Sequence, residues 1–148
     1  MKTTILFASL GVGVALLAQK PAAPSGAYAK WLDEDVAYII TVAERARFLR
    51  LTSDQERERF IEQFWLDRDP TLGAATNEVR EEHYRRIAHS NQRFASSYTA
   101  GWRSDRGRIY ITLGPADEVE SYPGRFERWR YSRFQGTSAT AMLEFPLR

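Results

Sequence analysis

Residues 101–115, Gly-Trp-Arg-Ser-Asp-Arg-Gly-Arg-Ile-Tyr-Ile-Thr-Leu-Gly-Pro, mark the place where the hydrophobic pattern of this chain changes from helical to extended. Upstream, apolar residues recur at three- and four-residue spacing; downstream they alternate. The stretch reads as a polar turn bracketed by Gly101 and Gly107 that runs into a half-buried strand. In Arg108–Leu113, Ile109, Ile111 and Leu113 fall on one face and Arg108, Tyr110 and Thr112 on the other, and Gly114-Pro115 ends the run.

The helices come first. Trp31-Leu32-Asp33-Glu34-Asp35 opens a short helical segment to about Ile40, with carboxylates in the first turn where the helix dipole favours them. Thr41…Glu44, Thr52…Gln55 and Ser53…Glu56 have the capping-box form, which predicts two further helix starts. The third helix, Asp54 to Leu66, carries Phe60, Ile61, Phe64 and Trp65 in one stripe and must end before Asp69-Pro70. A long helix of about six turns begins near Thr76 or Asn77 and places Tyr84, Ile87, Ala88, Asn91, Phe94, Ala95 and Tyr98 on one side. After the 108–113 strand, Phe126–Tyr131 and Ala141–Phe145 read as two more. The expected fold is α+β: three short to medium N-terminal helices and one long one, then a small antiparallel sheet of about three strands.

The N-terminus bears on compartment. Met1-Lys2 is followed by an apolar run from Ile5 to Ala18 that ends at Gln19-Lys20-Pro21, the layout of a secretory signal peptide cleaved after Ala18. Ala27-Tyr28-Ala29 is a second small-x-small site. The run is shorter than the roughly 18 residues of a spanning helix, which sets cleavage above retention as an anchor and predicts no stable membrane insertion afterwards. Residues 19–30 read as a flexible linker, and 31–148 as one domain, a length that suits a single core. The chain has no cysteine, so lipid attachment at a thiol, disulfides and Cys–metal sites are excluded. Its 21 positive and 19 negative residues are interleaved, as in Asp67-Arg68-Asp69, which is the pattern of ion pairs rather than of a nucleic-acid surface.

The segments Glu34-Asp35-Val36, Tyr38-Ile39-Ile40-Thr41, Phe60-Ile61-Glu62-Gln63-Phe64-Trp65, Arg68-Asp69-Pro70-Thr71, Asn77-Glu78 and Glu82-His83-Tyr84-Arg85-Arg86-Ile87, ending in the 101–115 stretch, occur in an order that resembles the GWxTD domain family. The resemblance covers Trp31 to about Tyr131. It departs where Ser104 stands in place of the family's Thr, which keeps the hydroxyl, and at Phe145-Pro146-Leu147-Arg148, where family members continue through a further strand and turn. The resemblance implies a secreted or periplasmic bacterial protein without an established activity.

Chemical motifs are scarce. His83 and His89 are six apart, about 240° around a helix, so they do not form a His-x-x-x-His metal pair, and no metal or cofactor is expected. No nucleophile elbow or phosphate loop occurs in the domain, and Ser104 beside Asp105 with a distant His83 lacks the spacing of a serine hydrolase. Two groups carry the candidate function. Asp69, Asn77, Glu78, Glu81 and His83 form a polar cluster around the start of the long helix, read as caps, a Glu81–Arg85 pair and a packed His83, or as the acids and base of a site. Trp102, Ser104, Asp105 and Arg106 form a turn, read as a core plug and a cap by Asp105, or as a binding edge presenting residue types common in interaction hot spots. The length of the long helix keeps the two groups apart. The four tryptophans suit a core, although Trp129 and Tyr131 could instead form a sugar-stacking face. Together these features favour a non-catalytic interaction or assembly module with a protein partner at the bacterial envelope. An envelope hydrolase using Asp, Glu and His is the first alternative, and a carbohydrate-binding module the second.

Overall fold

The computed structural model describes residues 23–71, 76–132 and 139–147. Among them five helices precede a three-stranded antiparallel sheet, the α+β order expected. The signal segment lies outside the described residues, as do residues 19–22 of the linker. The linker's end is no tether: α1 (Gly26–Lys30) runs directly into a π-helical turn, Trp31–Asp35, and packs Tyr28 against an apolar cluster. The first helical segment thus begins at Gly26 rather than at Trp31.

Both capping boxes form. In α2 (Val42–Phe48) the Thr41 hydroxyl accepts from the Glu44 amide at 3.2 Å and the Glu44 carboxylate accepts from the Thr41 amide at 2.8 Å. In α3 (Asp54–Leu66) Ser53 and Glu56 exchange the same bonds, and Thr52 adds its amide and hydroxyl to the Glu56 carboxylate. Helix starts are settled here by local hydrogen bonding, which is why the sequence places them well. α1 to α3 bury Trp31, Leu32, Val36, Phe48, Phe64 and Trp65 in one cluster. Its rings meet edge to face, Trp31 to Phe64 at 5.2 Å and Phe64 to Trp65 at 5.1 Å, the geometry that ring quadrupoles favour.

α4 (Glu78–Phe94) is joined to α3 by Asn77, whose carbonyl caps the Arg80 amide at 2.8 Å while its amide donates to the Trp65 carbonyl at 2.7 Å. The helix stops at Phe94, a turn earlier than its apolar stripe implies. Beyond it the Ser96 hydroxyl accepts from the amides of Tyr98 and Thr99, a local turn that competes with continued helix, and Tyr98 is 98% exposed.

The principal correction concerns residues 105–113. Asp105–Leu113 is a helix, α5, not a strand. Ser104 caps it, accepting from the Gly107 amide at 3.0 Å, and Gly114 ends it at φ +82°, a conformation open to glycine. Ile109, Tyr110 and Leu113 lie at i, i+1 and i+4, so the same six residues satisfy a helical stripe as well as an alternation.

The third strand is therefore elsewhere. β1 (Glu118–Tyr122), β2 (Phe126–Tyr131) and β3 (Ala141–Pro146) form a meander in the order β1-β2-β3, with Trp129 opposite both Val119 and Leu143. The inner face buries Trp129, Tyr131 and Phe145 against Phe94, Ile109, Tyr110 and Leu113. On the outer face Arg128 binds Glu144 at 2.7 Å and Glu120 at 3.4 Å, and Arg130 binds Glu118.

Candidate functional site

The signature turn is a point of close backbone approach. A short 3₁₀ turn, Gly101–Arg103, lies against the middle of α4, where a β-carbon on Gly101 would stand 1.9 Å from the Ser90 carbonyl oxygen. Asn91 fastens the contact, its side-chain carbonyl accepting from the Trp102 amide at 3.0 Å. Ser104 both caps α5 and donates to the Gly101 carbonyl at 2.7 Å. The cap expected of Asp105 is thus made by Ser104; the Asp105 carboxylate is 83% exposed and 3.7 Å from Arg108.

Arg106 points inward. Its guanidinium meets the Glu127 carboxylate at 3.1 Å and lies 5.1 Å from the centre of the Phe94 ring, while the same carboxylate accepts from the Trp129 indole at 3.2 Å. This ties α5 to α4 and β2. Trp102 is half-buried beside Tyr38, whose hydroxyl donates to the Trp102 carbonyl at 3.2 Å, and its ring is covered by Arg103 at 5.4 Å. The four residues of the turn are therefore spread between a cap at Ser104, a part-buried ion pair at Arg106, a half-buried Trp102 and an exposed Asp105.

The polar cluster separates as well. Asp69 accepts from the Thr71 amide at 2.8 Å, and Asn77 caps α4. Glu81 and Glu78 are exposed, and Arg85 pairs with Glu82 rather than with Glu81. His83 is buried; its Nε2–H donates to the Asp35 carbonyl at 2.6 Å and its ring lies 5.3 Å from that of Trp65. Burial favours the neutral ring over the charged one and pushes the His83 pKa below the ordinary value, against the upward pull of the bond to the Asp35 carbonyl. His83 lines a groove of about 450 Å³ with Arg68, Glu78, Glu82 and Arg86, walled by Ile39, Trp65 and Ile111. Arg86 and Arg68 are engaged there, Arg86 with Glu82 at 2.8 Å and Arg68 with both Glu44 oxygens at 2.9 Å. Of the acids expected beside a hydrolytic His83, Asp69, Glu81 and Asp105 do not line the groove, whereas Glu78 does, exposed to solvent. Among the described residues no group of three or more His, Asp or Glu is placed to hold a metal ion.

The aromatic face read on β2 turns inward. Trp129 and Tyr131 are 3% and 5% exposed, and the Tyr131 hydroxyl donates to the Gly114 carbonyl at 3.0 Å, its pKa pushed up to about 12 by burial. They offer no sugar-stacking platform. Trp102, half-buried on another element, does not restore one.

Sequence reasoning missed a second groove, of about 500 Å³, between α4 and the β1 side of the sheet. His89 stacks on Tyr110 at 4.4 Å and 16°, Phe94 and Trp129 stand behind them, and Arg93, Pro115, Ala116 and Val119 form the rim. Val119 is on the inner face of the sheet, opposite Trp129, yet it is 55% exposed. With 108–113 taken as a strand, His89 and Tyr110 could not be seen to share a wall. No helix among the described residues is long and apolar enough to cross a membrane.

The sequence model of the GWxTD domain matches residues 8–146, nearly the whole chain, while no curated protein and no solved structure matches it. The chain belongs to the GWxTD domain family.

Proposed function

We propose that this GWxTD-domain chain is an exported, non-catalytic interaction module of the bacterial envelope that takes its partner at the groove between α4 and β1. The observation that carries this reading is the exposure of Val119 on the apolar face of the sheet, at the rim of a pre-formed, aromatic-walled groove. Of the Asp, Glu and His residues that could serve catalysis, Asp69 is held in a turn bond and His83 in a buried carbonyl contact, while Glu81 is exposed and does not line the His83 groove. Export rests on the Met1–Ala18 pattern.

The test is capture from envelope extract on the mature chain, compared with a His89→Ala/Val119→Asp variant of unchanged near-ultraviolet dichroism. Specific proteins retained by the parent and lost by the variant support the reading. Equal capture by both removes the groove from it.

A second reading, a hydrolase centred on His83, draws support from the concave groove beside that residue and its depressed pKa. Turnover of an envelope substrate that is abolished by His83→Gln in a folded protein would favour it over the first.

A further inference from the structure

β1 is an edge strand. Its one strand neighbour among the described residues is β2, and every one of its five residues is solvent-exposed. Natural sheets blunt such edges with lysine, proline, a bulge or a covering element. β1, Glu-Val-Glu-Ser-Tyr, has neither lysine nor proline; its short length and the charges of Glu118 and Glu120 are what guard the edge, and acidic guards turn away acidic strands while leaving it open to a basic one.

The rows of side chains that β1 presents are known from what they already select. Toward β2, Glu118 stands opposite Arg130, Glu120 opposite Arg128, and Val119 opposite Trp129. Basic residues thus meet the carboxylates on the outer face, and an aromatic meets Val119 on the inner one. The carboxylates of Glu118 and Glu120 remain 59% and 54% exposed, so a neighbour on the other side of β1 meets the same two charges and the same valine. On the inner side that neighbour faces His89, Tyr110 and Phe94, with Arg93 at the rim. Glu127 also lines the groove, but its carboxylate is engaged by Arg106 and the Trp129 indole, so with Arg93 nearby an apolar or aromatic side chain is better suited there than a cation.

We infer that the free edge of β1 accepts an extended segment of a partner protein as a fourth strand. That segment alternates Lys or Arg, placed over Glu118 and Glu120, with apolar or aromatic residues inserted in the α4–β1 groove. The inference rests on the interaction reading above and names its mode and partner chemistry. Main-chain hydrogen bonds supply affinity, and the alternate side chains supply selectivity. A second copy pairing through β1 about Glu120 is disfavoured, because it sets carboxylate against carboxylate.

The test uses the mature chain and three capped nonapeptides, read by titration calorimetry and by backbone amide shifts of Glu118–Tyr122. The first alternates Lys and Arg with Val and Tyr; the second replaces the basic residues with Glu; the third is the first with alternate amides N-methylated. The basic peptide is expected to bind at least about tenfold more tightly than the acidic one, in keeping with two cross-strand charge pairs. The methylated peptide is expected to lose binding, and Glu118→Lys/Glu120→Lys to invert the preference between basic and acidic peptides. Equal binding of the methylated peptide, or indifference to the charge swap, overturns strand addition. Failure of all three peptides while envelope proteins are still captured through His89 and Val119 overturns it too, and leaves the interaction reading standing. Failure of both peptides and capture removes both.

Discussion

The carbonyl oxygen of Gly101 stands 1.9 Å from where a β-carbon on Gly107 would sit. Since Gly101 itself packs on the Ser90 carbonyl, three backbone segments from α4, the 3₁₀ turn and α5 are stacked with no room for a side chain between them. The two glycines that bracket the signature are required by contact, not by backbone angle.

Gly101→Ala and Gly107→Ala are each expected to cost about 3 kcal/mol or more, because the obstructing atoms are main chain and cannot swing aside. Gly124→Ala makes the contrast: its φ is +69° with open space around it, so it should lose only about 1 kcal/mol. Urea midpoints of the three variants measure the difference. Similar losses at all three positions would contradict the stacking.

Ser104→Ala should destabilise by about 1 kcal/mol, the usual cost of an N-cap. Ser104→Thr retains both the bond to the Gly107 amide and the donation to the Gly101 carbonyl, and should leave thermal stability close to that of the parent. An equal loss in both variants would show that the hydroxyl is not the feature that matters.

Arg68 donates to the Phe64 carbonyl at 2.9 Å, holds the Glu44 carboxylate and lies 3.5 Å from the centre of the Phe64 ring. Arg68→Ala is expected to cost about 2 kcal/mol, and Arg68→Lys to recover less than half of it, since an ammonium cannot reproduce the planar fork or the stacking. Chemical unfolding of the three proteins at one pH checks this order.

His83 makes stability depend on pH in a definable window. Its folded pKa lies below the ordinary histidine value of about 6.5, so the folded state binds fewer protons than the unfolded one and stability rises with pH. The contribution is whole above about pH 6.5 and is lost as pH falls from there through the folded value. Glu82, lowered by the Arg86 bond despite some burial, acts in a more acidic window, with its contribution present above about 4.5 and lost as its own folded pKa is crossed. His83→Gln should flatten the upper window and leave the lower one. A variant with an unchanged slope just below pH 6.5 would assign that slope to another group.

What the sequence made legible was what is decided within four residues. The boxes at Thr41 and Ser53, the cap at Asn77 and the bounds of α3 were all readable, because a hydroxyl or amide reaches only its local backbone. α5 was misread although its cap and stop were present: Ser104 with Asp105 in the first turn, and Gly114-Pro115 at the end, are helix punctuation. Over six residues the alternation of Ile109, Ile111 and Leu113 outweighed those marks. β1 had little apolar alternation to find, because all five of its residues are exposed and, among the described residues, β2 is the strand that pairs with it. The groove beside it combines residues from α4, α5 and two strands, and no spacing along the chain foretells such a meeting.

α4 supplies Tyr84 to the helical cluster and Phe94 to the sheet cluster, ten residues or about 15 Å apart along one helix. The molecule thus resembles two weights on a common axle more than one ball. If the sheet end opens with the other end still loaded, amide exchange is expected to follow two free energies, with Ser90 and Gly101 at the bearing between them. Anything that grips the edge of β1 therefore acts first on the smaller weight, and reaches the larger only through α4 and the contacts of the signature turn.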